Sequence, residues 1–191
     1  MAWRHDSHGN AGVEFALVAP VFLLLVLGGL DLYHTASVRA IAVGQLQKAA
    51  RDTSLEDAAA DVRQAAILSR LQNAVREIAP GATVNMVSKA YQNYGDVGSP
   101  EEFQDGNHNG KCDNGESFVD SNRNGTWDQD SAADGRGGAK DVVLLTATIS
   151  YDHLPIASLL TSDRKVELVA KTLLRNQPND QQADPPTGKC S

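Results

Sequence analysis

Gly9-Asn10-Ala11-Gly12-Val13-Glu14-Phe15-Ala16-Leu17-Val18-Ala19-Pro20-Val21-Phe22-Leu23-Leu24-Leu25-Val26-Leu27-Gly28-Gly29-Leu30-Asp31-Leu32 decides the fold. The stretch reads as one apolar helix with a carboxylate, Glu14, near its start and a glycine, Gly9, five residues before it. A carboxylate at the edge of a membrane helix is costly and marks a place where a partner is needed. Phe15 to Leu30 is uncharged; these 16 residues rise about 24 Å as a helix, short of a ~30 Å hydrocarbon core. Ala11 to Val13 and Leu32 to Tyr33 extend it enough to cross. Arg4, His5 and His8 precede it against Asp6 alone, so the positive-inside rule places the N-terminus in the cytoplasm and the rest outside. Pro20 is expected to kink the helix or break its hydrogen bonds locally. The chain therefore reads as a membrane anchor followed by an exported domain.

Three readings of the anchor remain open at this level. One is a simple signal anchor. Another is a secretory signal cut near Gly28 and Gly29, although Glu14 interrupts its apolar start. The third takes Gly9 as a cleavage point, which makes Asn10 the first residue and Glu14 the fifth. A free amine beside a carboxylate in low dielectric pairs strongly, and in a filament the amine of one subunit can meet Glu14 of the next. Glycine, four residues, Glu14 and then an aromatic, Phe15, is the type IV prepilin pattern.

Ala11 to Pro20 resembles the opening of TadE-like proteins, pseudopilin-type components of the tight-adherence (Tad, Flp) pilus apparatus. Leu173-Leu174-Arg175-Asn176-Gln177-Pro178 resembles the Arg-Asn-Glu-Pro ending common in that family, with Gln177 in place of Glu. The resemblance covers the first ~40 residues well and residues 140 to 178 thinly; it does not cover the acidic middle. It implies processing by a prepilin peptidase at Gly9 and partnership with other pilins, pseudopilins and pilus assembly proteins. It also implies residence in the bacterial inner membrane as a single-pass protein with a periplasmic C-terminal domain, or further out on the pilus or cell surface.

The chain has 191 residues and a formal net charge of -7. From Glu101 to Asp134 nine acids face two bases, Lys111 and Arg123, so this one segment carries the whole excess. The acidity is a local site rather than a global property, and no basic stripe supports nucleic acid as a partner. Aromatics are 5% of the chain, so the core is left to Ala, Val, Leu and Ile. Cys112 and Cys190 are too few to define a disulfide framework, and sequence alone does not say whether they pair.

Beyond residue 34 the periodicity of Val38, Ile41, Ala42, Leu46 and Ala49 predicts that the helix continues. Asp52-Thr53-Ser54 breaks it, Ser54 with Asp57 caps a second helix, and Pro80-Gly81 ends that helix. Ala82 to Tyr91, Asp141 to Tyr151 and Lys165 to Arg175 read as strands, with Val84, Met86 and Val87 inward in the first. Leu154-Pro155-Ile156 turns between the last two. The expected fold is α+β: a transmembrane helix running into a helical region, then a small antiparallel sheet with a calcium-loop insertion. The expected divisions are a cytoplasmic leader at 1–9, a membrane helix at 10–34, a helical region at 35–80 and a sheet domain at 81–176. The insertion occupies 101–134, and a polar tail at 177–191, with Pro185-Pro186, is expected to be disordered.

The insertion carries the chemistry. Asp105, Asn107, Asn109, Gly110, Lys111, Asp113 and Glu116 fall at positions one, three, five, six, seven, nine and twelve of the twelve-residue calcium loop. Position seven offers only its carbonyl, so a lysine is allowed there. Fifteen residues on the pattern recurs as Asp120, Asn122, Asn124, Gly125, Thr126 and Asp128. Position twelve is then Ser131, and Asp130 or Glu116 is expected to supply the missing carboxylate. Ser117 to Val119 alone separates the loops, too little for the paired helices of an EF-hand; the arrangement resembles the compact tandem calcium repeats of extracellular bacterial proteins. One or two Ca2+ ions are expected, with an affinity of about 10⁻⁴ M because Asn replaces Asp at several ligand positions. Without the ion the carboxylates repel, and the segment should order on binding. Phe118 and Trp127 are expected to pack it on the domain.

No catalytic set emerges. His34 and His153 lack a second ligand at metal spacing, Ser54 and Ser158 lack a nucleophile motif, and Gly135 to Gly138 precedes no helix. The chain is expected not to be an enzyme. The leading reading is a minor pilin-like component of Tad pilus assembly. The alternative is a membrane-anchored calcium-binding adhesion or scaffold module never built into a pilus.

Overall fold

A computed structural model describes residues 10–53, 60–113, 115–155, 163–176 and 182–190. The leader, the expected cap at Ser54, the segment after Pro155 and the start of the tail lie outside these residues.

The apolar stretch forms the first part of a 44-residue helix, α1 (Asn10–Thr53). At 1.5 Å per residue it is about 66 Å long, roughly twice a bilayer core. Pro20 does not interrupt it. Its first half is long and apolar enough to cross a membrane, and among the described residues none of its most apolar window is buried. Phe15, Leu23, Leu24 and Leu25 point outward all round the helix, as a segment solvated by lipid does.

The second half of α1 is different. Val38, Ala42 and Leu46 are fully buried and Ala49 nearly so, one stripe at spacings of three and four residues. That stripe packs against α2 (Ala60–Arg76) and the sheet. The last turn of α2 gives way at Glu77 to Ala79 before Pro80, and Ala79 N still donates to Val75 O at 2.8 Å.

The strands are β1 (Thr83–Tyr91), β2 (Ser117–Val119), β3 (Ala133–Asp134), β4 (Val142–Asp152), β5 (Lys165–Arg175) and β6 (Thr187–Lys189). The main sheet is antiparallel in the order β3-β1-β4-β5. Met86 pairs with Ala147, which pairs with Ala170, so the inner faces of the three long strands align. Val84 and Met86 of β1, Leu145, Ala147 and Ile149 of β4, and Ala170 and Leu174 of β5 meet the two helices in one core. Val87 was expected inward but is 46% exposed; the two-residue pleat that buries Met86 must turn Val87 to the other face. This is the expected α+β order of long helix, helix and antiparallel sheet. Leu46→Ala is expected to cost about 3 kcal/mol, read as a lower melting temperature of the detergent-solubilised chain. An unchanged melt would mean that the lower half of α1 does not pack on the domain in solution.

A polar clamp joins the sheet to α1 where the helix leaves its apolar part. His153 Nδ1 lies 3.0 Å from Asp31 Oδ2, and Leu154 N donates to Asp31 Oδ1 at 3.4 Å. One turn on, Tyr151 OH donates to Thr35 Oγ1 at 3.1 Å. His34 Nε2 donates to Ile78 O at 2.9 Å and its ring meets Tyr151 edge-on. The two histidines that carry no metal pattern thus fix the domain to its stem.

The tail does not behave as expected over residues 182–190. β6 pairs antiparallel with β2, with Phe118 opposite Gly188, and Cys190 is bonded to Cys112. Polar composition allowed disorder, but a covalent link and a strand partner 70 residues away override it.

Candidate metal centre

β1 and β4 are joined by a long excursion, and the acidic loops lie in it. Its framework is β2, the three residues between the loops. On one side β2 pairs with β6. On the other it meets the segment before the first loop: Gln104 N donates to Ser117 O and Val119 N donates to Glu102 O, both at 2.8 Å, with Phe103 bridged to Phe118. Phe118 is 1% exposed at the centre. Gly188 lies flat on its ring, where any Cβ would collide. Trp127 meets Phe103 edge-on, with ring centroids 5.5 Å apart, and its Nε1 donates to Glu101 O at 2.9 Å. Phe118 and Trp127 were expected to pack the insertion on the domain; these contacts lie instead within the insertion and with the C-terminal segment, at Glu101, Phe103 and Gly188.

The two loops share one backbone. Position four is left-handed in both, with φ 60° at His108 and 62° at Arg123, and position six is left-handed at Gly110 (φ 75°) and Gly125 (φ 81°). A left-handed residue at position six is why glycine stands there twice. In the first loop Asn109 N donates to Asp105 Oδ1 (3.1 Å) and Asn107 Oδ1 (3.0 Å), and Gly110 N donates to Asp105 Oδ2 (2.8 Å). In the second, Asn124 N donates to Asp120 Oδ1 (3.0 Å) and Asn122 Oδ1 (3.0 Å), and Gly125 N donates to Asp120 Oδ2 (3.0 Å). The seventh residues repeat as well: Lys111 N and Thr126 N donate to Asn109 Oδ1 and Asn124 Oδ1 at 2.8 Å and 2.7 Å. The amides of Asn107 and Asn109 reach Asp113, and those of Asn122 and Asn124 reach Asp128.

Oxygens of positions one, three, five and nine are thus gathered around each loop. The first loop also has its carboxylate at position twelve: Glu116 accepts from Gly106 N at 2.8 Å and Asp113 N at 3.2 Å. The N–H of Gly110, joined by those of Asn109 and His108, holds the Asp105 carboxyl below its usual range. Among the described residues no group of three or more His, Cys, Asp and Glu side chains forms a metal cluster by itself. The side chains gathered there offer carboxylate and amide oxygens, the hard-oxygen chemistry that suits Ca2+ rather than a transition metal. The residues present fit that ion.

Position twelve of the second loop differs from the sequence expectation. Ser131 is buried and turned away, its Oγ donating to Asp96 O at 3.2 Å and its N to Ser99 O at 2.9 Å. Asp130 points to Lys89 and forms an ion pair with it. Burial works against ionisation of Asp130, but hydrogen bonds from Lys89 and Tyr91 outweigh it and hold the carboxyl low. Glu116 serves the first loop. The carboxylate that reaches the second loop is Glu101, 1% exposed. Burial pushes its carboxyl above the usual range; the N–H groups of Asn122, Asp128 and Ser121 offset part of this, and the charge of Asp120 adds to it. Sequence reasoning missed Glu101, which stands outside both twelve-residue patterns.

The C-terminal segment closes the module. Cys112, at position eight of the first loop, is bonded to Cys190 with Cα atoms 5.4 Å apart. Cys190 N donates to Glu116 O at 2.8 Å, Gly115 N to Cys190 O at 3.1 Å and Asp120 N to Pro186 O at 2.9 Å. Arg123 donates to Ala183 O and Asp184 O, both at 3.3 Å. Of the expected processing residues, Gly9 lies outside the described residues, Asn10 begins α1, and Glu14 and Phe15 are exposed on its first turns.

Stem and module together define a class: an α+β domain on a single apolar helix, consistent with a single-pass membrane protein, carrying a disulfide-closed pair of acidic loops. The family model described as TadE-like protein matches residues 9–55, which include the Ala11 to Pro20 opening but not the Leu173 to Pro178 ending, and suggests a component related to the Tad pilus. No curated protein and no solved structure matches the chain.

Proposed function

We propose that this chain is a minor pilin-like, or pseudopilin, component of Tad pilus assembly whose exported domain is stabilised by calcium. The observation that carries the reading is the TadE-like match over residues 9–55, which begins at Gly9 and includes Glu14. The role is structural rather than enzymatic. α1 holds the protein in the inner membrane with its N-terminus cytoplasmic and its domain periplasmic, and then packs among the helices of other pilins and pseudopilins. A prepilin peptidase cuts after Gly9, and the new amine of Asn10 neutralises Glu14 of a neighbour, removing the cost of that carboxylate in lipid. The exposed apolar side chains of α1 and, among the described residues, the lack of burial along its most apolar window support such packing. A disulfide in the domain fits an oxidising compartment outside the cytoplasm.

Intact mass of the protein purified from its native membrane tests the reading. The expected mass lacks Met1 to Gly9, and Gly9→Leu is expected to abolish the cut and assembly together. A full-length wild-type chain would instead leave a permanently anchored calcium module outside the pilus.

A further inference from the structure

We infer that Glu101 is the twelfth-position ligand of the second loop, supplied from 19 residues upstream of Asp120 rather than from the loop's own end. This rests on the calcium reading above and adds to it a residue outside either motif. In the first loop Glu116 accepts from the main-chain N–H of position two, Gly106, with Oε1 and from that of position nine, Asp113, with Oε2, at 2.8 and 3.2 Å. In the second loop Glu101 accepts from position two, Ser121, with Oε1 and from position nine, Asp128, with Oε2, at 2.7 and 3.2 Å. The carboxylate occupies the same place relative to the loop although the chain reaches it from the opposite direction.

Two further observations are independent of the repeat. Glu101 is 1% exposed, Asp120 beside it is 6% exposed, and among the described residues no basic side chain pairs with Glu101. Two carboxylates buried side by side repel; the main-chain N–H groups they accept from offset part of this, and a bound cation would offset more. Glu101 is also held in place by its main chain: its N donates to Asp128 O at 3.0 Å and its O accepts from Trp127 Nε1 at 2.9 Å. These bonds act whichever charge the side chain carries, so in the ordered insertion they keep Glu101 against the second loop. An ion in the second loop would then join residue 101 to residues 120–128 and enclose the whole first loop, making the second site the staple of the insertion.

The test is Ca2+ titration of the full chain in detergent, wild type against Glu101→Gln, Glu116→Gln and Asp130→Asn. Trp127, at position eight of the second loop, sensitises Tb3+ luminescence there, with Trp127→Phe as the blank. Wild type is expected to bind two ions. Glu101→Gln is expected to weaken one site at least about tenfold, the low end of what losing even a supporting partner costs a metal site, and to remove the Trp127-sensitised signal. Glu116→Gln is expected to weaken the other site and keep that signal, and Asp130→Asn to change neither. Should Glu101→Gln not fold, Glu101→Asp, which keeps the charge and draws it back, is expected to show the same selective weakening. Two unchanged sites in a folded Glu101 variant would overturn the assignment alone. A wild-type chain that binds no Ca2+ would overturn the calcium reading, and this assignment with it.

Discussion

Replacing Cys112 and Cys190 together by serine is expected to lower the stability of the exported domain by about 4 kcal/mol. The bond joins residues 78 apart, and opening so large a loop returns that much chain entropy to the unfolded state in the loop-closure account. The native side also loses. β6 is three residues long and ends one residue before Cys190, so without the bond only non-covalent contacts hold it: its pairing with β2 and the hydrogen bonds at Pro186, Lys189 and Cys190. Fraying of β6 would uncover Phe118, which Gly188 covers. At roughly 2–4 °C per kcal/mol for a chain of this size, the melting temperature should fall by about 8–16 °C. The comparison is a thermal melt of wild type and double variant, both in excess Ca2+, so that the loops are equally loaded. A fall of under ~2 °C would mean that the two cysteines do not pair in the native protein.

Removing calcium is expected to have an effect of the same size. For a site of about 10⁻⁴ M affinity, a hundredfold excess of free ion stabilises by about 2.7 kcal/mol, and two such sites by about 5 kcal/mol. Chelation should therefore lower the melting temperature by more than 10 °C or so. It should also open residues 101–131 to protease while β1, β4 and β5 stay protected, because the main sheet takes its core from α1 and α2 and not from the loops. Asp105→Ala with Asp120→Ala should reproduce the chelated state in the presence of Ca2+. Equal melts with and without chelator would contradict the calcium reading, whatever becomes of the disulfide.

Local periodicity made the scaffold legible. Val38, Ala42 and Leu46 declare a buried helical stripe, and alternation along Lys165 to Arg175 declares a strand with one inner face. The spacing of Asp105, Asn107, Asn109 and Gly110, repeated from Asp120, announced the twin loops whose left-handed sixth glycines the structure displays. What could not be read is non-local. Glu101 is one acid among nine in its segment, and nothing in spacing singles it out until folding lays it against Ser121 and Asp128. Residues 182–190 are polar and proline-bearing, as a loose tail would be, yet β2 and Cys112 recruit them. Asp31 lies inside the membrane helix expected at 10–34, and nothing local marks it as a contact; only the strand ending at Asp152 brings His153 to it.

Calcium held by the acidic segment is what would order the insertion and stabilise the exported domain. Native mass spectrometry of the full chain, stripped with chelator and titrated with Ca2+ in detergent, tests that binding directly. Two bound ions, filling near 10⁻⁴ M and absent from the Asp105→Ala, Asp120→Ala variant, are the predicted result. A chain that takes up no Ca2+ at millimolar concentration would contradict it.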